Sequence, residues 1–314
     1  MEKKPIVGIS ACNLGQPVRY DGGHKRSAFV DGQLREWVEF RPICPEVGAG
    51  LSTPRPTIRL RQTEIGIRLV DDKNGVDHTE AMQSFSERVL PSLDNLSGYI
   101  VCAKSPSCGM ERVKVFNADA TGAERNGRGL FTDALMKRYP LLPVEEDGRL
   151  NDARLRENFV TRVLIYQEFQ QLQADPTQGR LLNFHRKHKM LLLSHHQNLY
   201  RQLGRLVASS GQSSLDERLN EYGKMMMAAL ARPASRRGHT NVLQHLQGYF
   251  KRDITTGERQ QLHQTILDYR QGKVPLMAPL SVLRHLLVRF PKPYVQSQSY
   301  LQPHPEALAL RCYL

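Results

Sequence analysis

Two short apolar runs, each stopping at a cysteine-bearing loop, constrain this chain more than any other feature. Pro5-Ile6-Val7-Gly8-Ile9-Ser10-Ala11 leads into Cys12-Asn13-Leu14-Gly15, and Tyr99-Ile100-Val101-Cys102-Ala103 leads into Lys104-Ser105-Pro106-Ser107-Cys108-Gly109. Runs of five to seven residues bounded by turn formers read as buried strands, because a buried helix needs roughly ten residues or more. Between and after them the apolar spacing becomes helical, over Thr79 to Leu90 (Ala81, Met82, Phe85, Val89) and over Gly129 to Tyr139 (Leu130, Ala134, Leu135). Strands alternating with helices predict an α/β three-layer, Rossmann-like domain with a mostly parallel sheet. In such sheets ligands bind at the carboxyl ends of the strands, where both cysteine loops belong.

From about residue 151 the pattern changes. Asn151-Asp152 offers a cap for a helix running to about Gln173 (Leu155, Phe159, Val163, Tyr166, Phe169). Asp175-Pro176-Thr177 breaks it, and a second helix is predicted from Gln178 to about Ser209. Thr255-Thr256-Gly257-Glu258 has capping-box spacing ahead of Leu262, Ile266 and Tyr269, with Gly272 and Pro275 closing that helix. Four or five helices with short connections make an all-α helical bundle. The 314 residues therefore divide into a domain over 1–150 and a second over 151–314, with the boundary in the Asp147 to Asp152 stretch. There is no internal repeat.

Charge follows the same division. Residues 1–150 carry 21 basic and 20 acidic side chains, whereas 151–314 carry 23 and 11, so nearly all of the net +13 lies in the second half. A basic bundle suits a polyanion, because Arg and Lys neutralise phosphates and release counterions. The candidate RNA contacts are Arg186, Lys187 and Lys189 on one helix, Arg236 and Arg237 before Gly238, and Lys251 and Arg252 after Tyr249-Phe250. Each is equally a solvated charge on a helix face. Tyr249 and Phe250 can stack on an unpaired base or fill a core. His185 and His188 are three apart, a spacing open to metal, RNA contact or packing.

Four of the five cysteines (Cys12, Cys44, Cys102, Cys108) lie in the first half. An odd number, no apolar run near the roughly 18 residues of a membrane span, and a Met1-Glu2-Lys3-Lys4-Pro5 start without a secretory core predict a soluble, cytoplasmic chain with reduced thiols. No C-x-x-C is present, so spacing alone names no zinc ribbon or ferredoxin-type site. Cys12, Cys44 and Cys108 each follow an apolar segment in a Gly-, Pro- or Ser-rich loop and are open to a crevice. Cys102, read as within a strand, is a core thiol, and Cys312, near the last residue, has no role. Ser107 lacks the G-x-S-x-G elbow and is given a structural part; no P-loop is present.

Five ordered blocks then become specific: Ile9-Ser10-Ala11-Cys12-Asn13-Leu14-Gly15, Val18-Arg19-Tyr20-Asp21-Gly22, Cys44-Pro45-Glu46-Val47, Gly50-Leu51-Ser52-Thr53-Pro54-Arg55-Pro56 and Lys104-Ser105-Pro106-Ser107-Cys108-Gly109. Over roughly residues 5–146 they resemble the thiouracil desulfidase (TudS) family. Phe184-His185-Arg186-Lys187-His188-Lys189, Asn241-Val242-Leu243-Gln244-His245, Gly248-Tyr249-Phe250-Lys251 and Gln298-Ser299-Tyr300-Leu301-Gln302-Pro303 resemble the YbgA-like domain. The fused arrangement is similar to the RudS group, which implies removal of sulfur from 4-thiouridine in tRNA.

The resemblance implies a [4Fe-4S] cluster with three Cys ligands, Cys12, Cys44 and Cys108, leaving one iron without a protein ligand. A soft iron can take the sulfur of a thiocarbonyl and polarise its carbon for attack by water, with no electron transferred. Glu46 matches the family's proposed acid/base and Ser105 a proposed active-site hydroxyl; their plain alternatives are a partner for Arg55 and a turn hydroxyl ahead of Pro106. Arg19, Asp21 and Lys104 fall in the motif blocks, and Arg19 and Lys104 are expected substrate contacts or braces of the loops. The expected partner is tRNA containing 4-thiouridine, with no membrane. Two other functions fit the same residues: desulfidation of free thiouracil or 4-thiouridine monophosphate in salvage, and nucleic-acid sensing by an iron–sulfur protein.

Overall fold

The computed structural model of the chain describes residues 3–119, 121–209, 213–312 and 314, and separates into two compact units, 1–151 and 152–314. Met1 and Glu2, part of the start read above, lie outside the described residues.

The first unit is built on β1 (Ile6–Ser10), β2 (Glu39–Ile43), the short α1 (Pro45–Gly48), β3 (Ile58–Thr63), β4 (Gly66–Asp71), α2 (Thr79–Val89), β5 (Gly98–Val101), β6 (Val113–Phe116), β7 (Ala123–Gly127), α3 (Leu130–Arg138) and β8 (Val144–Glu146). Two strands and two helices of this set are the predicted ones. The strands form two four-stranded sheets, one ordered β2-β1-β5-β8 and the other β4-β3-β6-β7. The first sheet is parallel throughout, as expected of strands joined by crossovers. Its centre is fully apolar: Val7, Ile9, Tyr99, Ile100 and Val101 are all sealed from solvent. Gly8 is obligatory there, since a Cβ would sit 2.3 Å from the Tyr99 ring that packs across the neighbouring strand.

The second sheet departs from the expectation of a single parallel sheet. β3 and β4 are a hairpin turning at Glu64-Ile65, and β6 pairs parallel to β3 but antiparallel to β7. β3 and β4 alternate charged with apolar residues (Ile58-Arg59-Leu60-Arg61 and Arg68-Leu69), the pattern of strands with one solvated face.

The second unit is helical: α4 (Ala153–Ala174), α5 (Gln178–His195), α6 (Gln197–Ala208), α7 (Leu215–Leu230), α8 (Arg236–Gly248), α9 (Thr256–Gln271), α10 (Met277–Arg289) and the single turn α11 (Pro293–Gln296). Seven of these are long helices, against the four or five expected. Asp152 caps α4 by accepting from the Arg154 and Leu155 amides, and the Thr255–Glu258 capping box forms at α9, which Gly272 closes at φ +81°. The single helix predicted from Gln178 to Ser209 is two. His196 adopts an extended backbone and its side chain accepts from the Leu199 amide as the cap of α6. His195 turns its Nδ1 to the Arg232 carbonyl, 2.8 Å away. An apolar pattern that continues through the break hid it.

The motif blocks of this unit tie its core. Tyr300 and His239 meet through hydroxyl and Nδ1 at 3.0 Å, His188 Nδ1 reaches the Ser299 hydroxyl at 2.8 Å, and Gln298 Nε2 donates to the Arg186 carbonyl. Glu157 and Arg311 form a sealed ion pair at 2.8 Å, and the charge of Arg311 keeps the Glu157 carboxyl below its usual range despite burial. No helix among the described residues is long and apolar enough to cross a membrane.

Candidate active site

The parallel register brings the carboxyl ends of three neighbouring strands to one level: Ser10 lies beside Ile43 across β1 and β2, and Ile9 beside Ile100 across β1 and β5. Cys12 sits in a single 3-10 turn directly after β1, Cys44 follows β2 at the entry to α1, and Cys102 follows β5. Cys108 ends the loop beyond Cys102. These four thiols line one cavity of about 250 Å³, together with Glu46, Ser105, Arg19, Lys104 and Arg55. Asp21, in contrast, is exposed, pairs with Arg19 at 3.5 Å and is absent from the lining.

The Cys108 loop is pinned from behind. The Gly109 amide donates to the Ser105 carbonyl, the Gly129 amide to the Gly109 carbonyl, and the Thr132 hydroxyl to the Cys108 carbonyl at 2.6 Å. Gly129 has no room for a side chain, because a Cβ would lie 2.5 Å from the Ser107 carbonyl carbon. Ser107 is sealed and its carbonyl accepts from the Phe131 amide, consistent with a structural part.

Cys102 is the largest departure from the sequence reading. It is buried but not within a strand: the thiol faces the cavity, and the Cys102 amide donates to the Ser10 hydroxyl at 3.0 Å, tying the end of β5 to that of β1. The Cys12 thiol donates to Asn13 Oδ1 at 3.8 Å; its proximity to Cys102, followed by burial, raises Cys12 above the ordinary thiol range and lowers Cys102, toward which Lys25 and Arg19 also turn positive charge. Burial pushes Cys44 up and Cys108 up further, with the Glu46 charge adding to both. Burial, and to a lesser degree the neighbouring thiols, raises the phenol of Tyr99.

Glu46 is held in one orientation. Arg55, whose side chain is 4% exposed, donates Nε to Glu46 Oε2 at 3.0 Å and pairs with the same oxygen through Nη2. Its remaining donors reach the Val18 carbonyl (2.9 Å), the Ser52 carbonyl (3.0 Å) and the Thr53 hydroxyl (3.1 Å). With Oε2 occupied, Oε1 is left for Ser105, whose hydroxyl donates to it at 3.4 Å. Ser105 Oγ also accepts from the Ser107 and Cys108 amides at 3.2 and 3.1 Å. The plain readings are met, with Glu46 the partner of Arg55 and Ser105 a turn hydroxyl, and both residues also line the cavity and touch each other. Arg55 enters the sequence reading only as the alternative partner of Glu46; its contacts to Val18, Ser52 and Thr53 depend on how the loops fold and carry no periodic signal.

Among the described residues no three His, Cys, Asp or Glu side chains form a group that could hold a single metal ion. What the cavity offers instead is soft sulfur donors spread around an enclosed space. Buried thiols give up their protons only against compensating positive charge, so this donor set suits a thiolate-ligated group larger than one ion.

Beside the cavity and sharing Ile58, Lys104 and Pro106 with it lies an open groove of about 580 Å³, lined by Arg59, Arg112, Lys114 and Arg125 and by the carboxylates Glu111 and Glu146. In the second unit the expected RNA contacts do not form one site. Arg186 and Lys189 both lie over the Tyr294 ring, at 5.7 and 4.9 Å. Lys187 is paired with Glu168 at 2.8 Å, and His188 is buried against the same carboxylate, so these two pack. Arg236 and Arg237 are exposed at the start of α8, Arg236 beside Gly272, and Lys251 and Arg252 are exposed on the turn after α8. Phe250 is core; Tyr249 is surface.

Residues 7–147 match the family described as 2-thiouracil desulfurase, and residues 189–305 match a family described as a protein of unknown function, DUF1722. The uncharacterized protein YbgA of Escherichia coli (strain K12) is 37% identical over 164 residues, covering 52% of this chain and 97% of that protein. Among solved structures, a [4Fe-4S]-dependent thiouracil desulfidase, TudS, is 34% identical with a TM-score of 0.38, over 48% of this chain and 94% of that one.

Proposed function

We propose, for a chain that belongs to the family of YbgA and carries a 2-thiouracil desulfurase domain over residues 7–147, that it is a tRNA 4-thiouridine desulfidase. The reaction exchanges a thiocarbonyl for a carbonyl: water supplies the oxygen, the C–S bond breaks, and hydrogen sulfide leaves with both protons of the water. No electrons are transferred. The observation that carries the reading is one cavity in which an oriented carboxylate, a hydroxyl and buried or half-buried thiols from three strand ends converge.

Cys12, Cys44 and Cys108 are assigned as the ligands of a [4Fe-4S] cluster, with Cys102 a fourth thiol beside Cys12. Such a cluster supplies a thiophilic iron for the sulfur and positive charge that draws electrons from the attached carbon. The chain's own residues do the rest. Glu46 takes a proton from the attacking water at Oε1, because Arg55 occupies Oε2 and fixes the plane of the carboxylate. Ser105 has both amide donors directed at its oxygen, so its own proton is available to Glu46 or to an oxygen developing negative charge. Arg19 and Lys104 offer positive charge at the cavity wall to the substrate.

tRNA, rather than a free base, is favoured by the basic groove continuing from the cavity past Lys104 and by the charge excess of the second unit. A phosphate chain needs such a path and a nucleobase does not. We place the reaction in the cytoplasm, where thiols stay reduced. The test is anaerobic turnover by the reconstituted protein of native thiolated tRNA beside 4-thiouridine monophosphate, following thiocarbonyl absorbance and released sulfide, with Cys108→Ala as control. Loss of the chromophore on tRNA, slower on the monophosphate and absent in the variant, supports the reading. Turnover of the monophosphate alone makes this a salvage enzyme, and turnover of neither leaves a sensor.

A further inference from the structure

The turn that carries Val18-Arg19-Tyr20-Asp21-Gly22 is stitched to the cavity from both sides. The Arg19 amide donates to the Gly23 carbonyl at 3.2 Å and the Gly22 amide to the Arg19 carbonyl at 2.9 Å, a closure that Gly22 permits at φ +75°. On one side Arg55, which fixes Glu46, donates its amide to the Tyr20 carbonyl at 2.9 Å and Nη2 to the Val18 carbonyl at 2.9 Å. On the other, the Lys25 amide donates to the Cys12 carbonyl at 2.9 Å. The backbone of Tyr20 is therefore positioned by the same residues that shape the site.

Its side chain is not used for packing. Tyr20 lines the cavity and is still 41% exposed, and among the described residues its hydroxyl has no hydrogen-bond partner. A tyrosine that serves a core is sealed and finds a partner for its hydroxyl, as Tyr222 does with His185 and Tyr300 with His239. The Arg19 guanidinium lies over the Tyr20 ring, 5.5 Å from its centroid, and restrains it by cation–π contact. The cavity, at about 250 Å³, is smaller than the roughly 300–1,000 Å³ of sites that enclose a whole drug-sized ligand. It has room for one flat ring and leaves the sugar and phosphate of a nucleotide outside.

We propose that Tyr20 is the stacking platform for the reacting base: a thiolated pyrimidine enters sulfur first, toward the thiols, and lies with one face on the Tyr20 ring. A base taken singly into a pocket gives up its stacked neighbours, and an aromatic ring at the pocket replaces them. The substrate class follows from this. The site favours a thiocarbonyl that belongs to a flat, unpaired ring over one in an open chain, which has no π-face to offer. The inference rests on the desulfidase reading above and deepens it by naming the residue that selects the base.

The experiment compares reconstituted wild type, Tyr20→Leu and Tyr20→Phe on native thiolated tRNA and on 4-thiouridine monophosphate, with iron content and Tm measured for each protein. Tyr20→Leu keeps an apolar side chain without the π-face. Because the stack holds the ground state and the transition state alike, its loss is expected to raise KM about 5- to 150-fold on every substrate that wild type accepts, with the effect on KM rather than kcat and with iron content and Tm preserved. Tyr20→Phe, which restores the ring, is expected to restore KM. If wild type turns over neither substrate, the desulfidase reading itself fails and takes the platform with it. If wild type turns over and Tyr20→Leu matches its KM, or loses kcat and iron together at unchanged KM, or Tyr20→Phe is as impaired as Tyr20→Leu, the platform is overturned while the desulfidase reading stands.

Discussion

Arg55 decides whether Glu46 is a positioned base or a loop carboxylate, and removing it gives a quantitative answer. Its guanidinium is sealed, makes five contacts to four groups, and has a partner carboxylate only 13% exposed. Arg55→Ala leaves the Glu46 charge without its counter-ion and two loop carbonyls without donors. Removing one partner of a buried pair costs about 3–5 kcal/mol. Since Glu46 keeps some contact with water, the lower end applies. For a unit of 151 residues, about 3 kcal/mol lowers Tm by roughly 6–12 °C. Calorimetry of the whole chain, following the transition of the first unit, measures this directly. Arg55→Lys is expected to fall between, because it restores the charge but not the fork that reaches Val18, Ser52 and Thr53. In the folded fraction of both variants turnover falls further than stability, since Oε1 loses its fixed direction toward Ser105. A Tm for Arg55→Ala within about 2–4 °C of wild type would falsify the clamp, as it would mean the pair is already solvated.

Three further outcomes are expected. Cys12→Ala, Cys44→Ala and Cys108→Ala each lose most of the iron and acid-labile sulfide after reconstitution while Cys102→Ala keeps both; iron analysis showing the reverse for Cys102 moves the ligand assignment. Gly129→Ala drives a Cβ to 2.5 Å from the Ser107 carbonyl carbon and displaces the Cys108 loop, costing about 1–3 kcal/mol and lowering iron content, and an unchanged urea midpoint contradicts the close approach. Burial holds His185 down at about 4, against an ordinary 6.5, so as pH falls from 6.5 toward 4 the unfolded chain takes up a proton that the folded one refuses, and stability drops. His195, His239 and His304 are lowered by burial in the same sense, so urea midpoints of wild type should decline over that window and more shallowly in His185→Gln; a rising midpoint reverses the sign.

The elements visible in the sequence were those whose pattern is local. β1 and β5 are uninterrupted apolar runs, α2 and α3 have clean helical spacing, and Thr255–Glu258 is a cap that names itself within four residues. β3, β4 and β6 are hard to see because basic residues fall between the apolar ones, which is what a sheet with one wet face requires and what a loop also looks like, and β7 (Ala123-Glu124-Arg125-Asn126-Gly127) has no apolar pattern at all. The break at His196 was missed for a related reason: Leu191, Leu192 and Leu193 before it and Leu203 and Val207 after it keep a helical apolar stripe, and only a backbone turned extended separates them.

The site divides along the same line. Cys12, Cys44 and Cys108 are legible because loop chemistry surrounds them, whereas Cys102 looks like strand interior in a run that continues to Ala103, and the difference is a strand that ends at Val101, two residues earlier. That shift changes the meaning of the thiol. In a parallel sheet the last paired residues, Ser10 beside Ile43 and Val101 beside Glu146, define one edge, and everything beyond it faces the crevice rather than the core. Residues 12, 44, 102 and 108 have no common spacing because they are brought together by register, not by sequence distance. Arg55 is gathered in by the same edge, through a carboxylate at the head of the helix that follows β2. A cavity assembled from strand ends can therefore exchange any one of its side chains without altering the periodicity of the chain, and for that reason its chemistry is read from register and contact, where the fold is read from pattern.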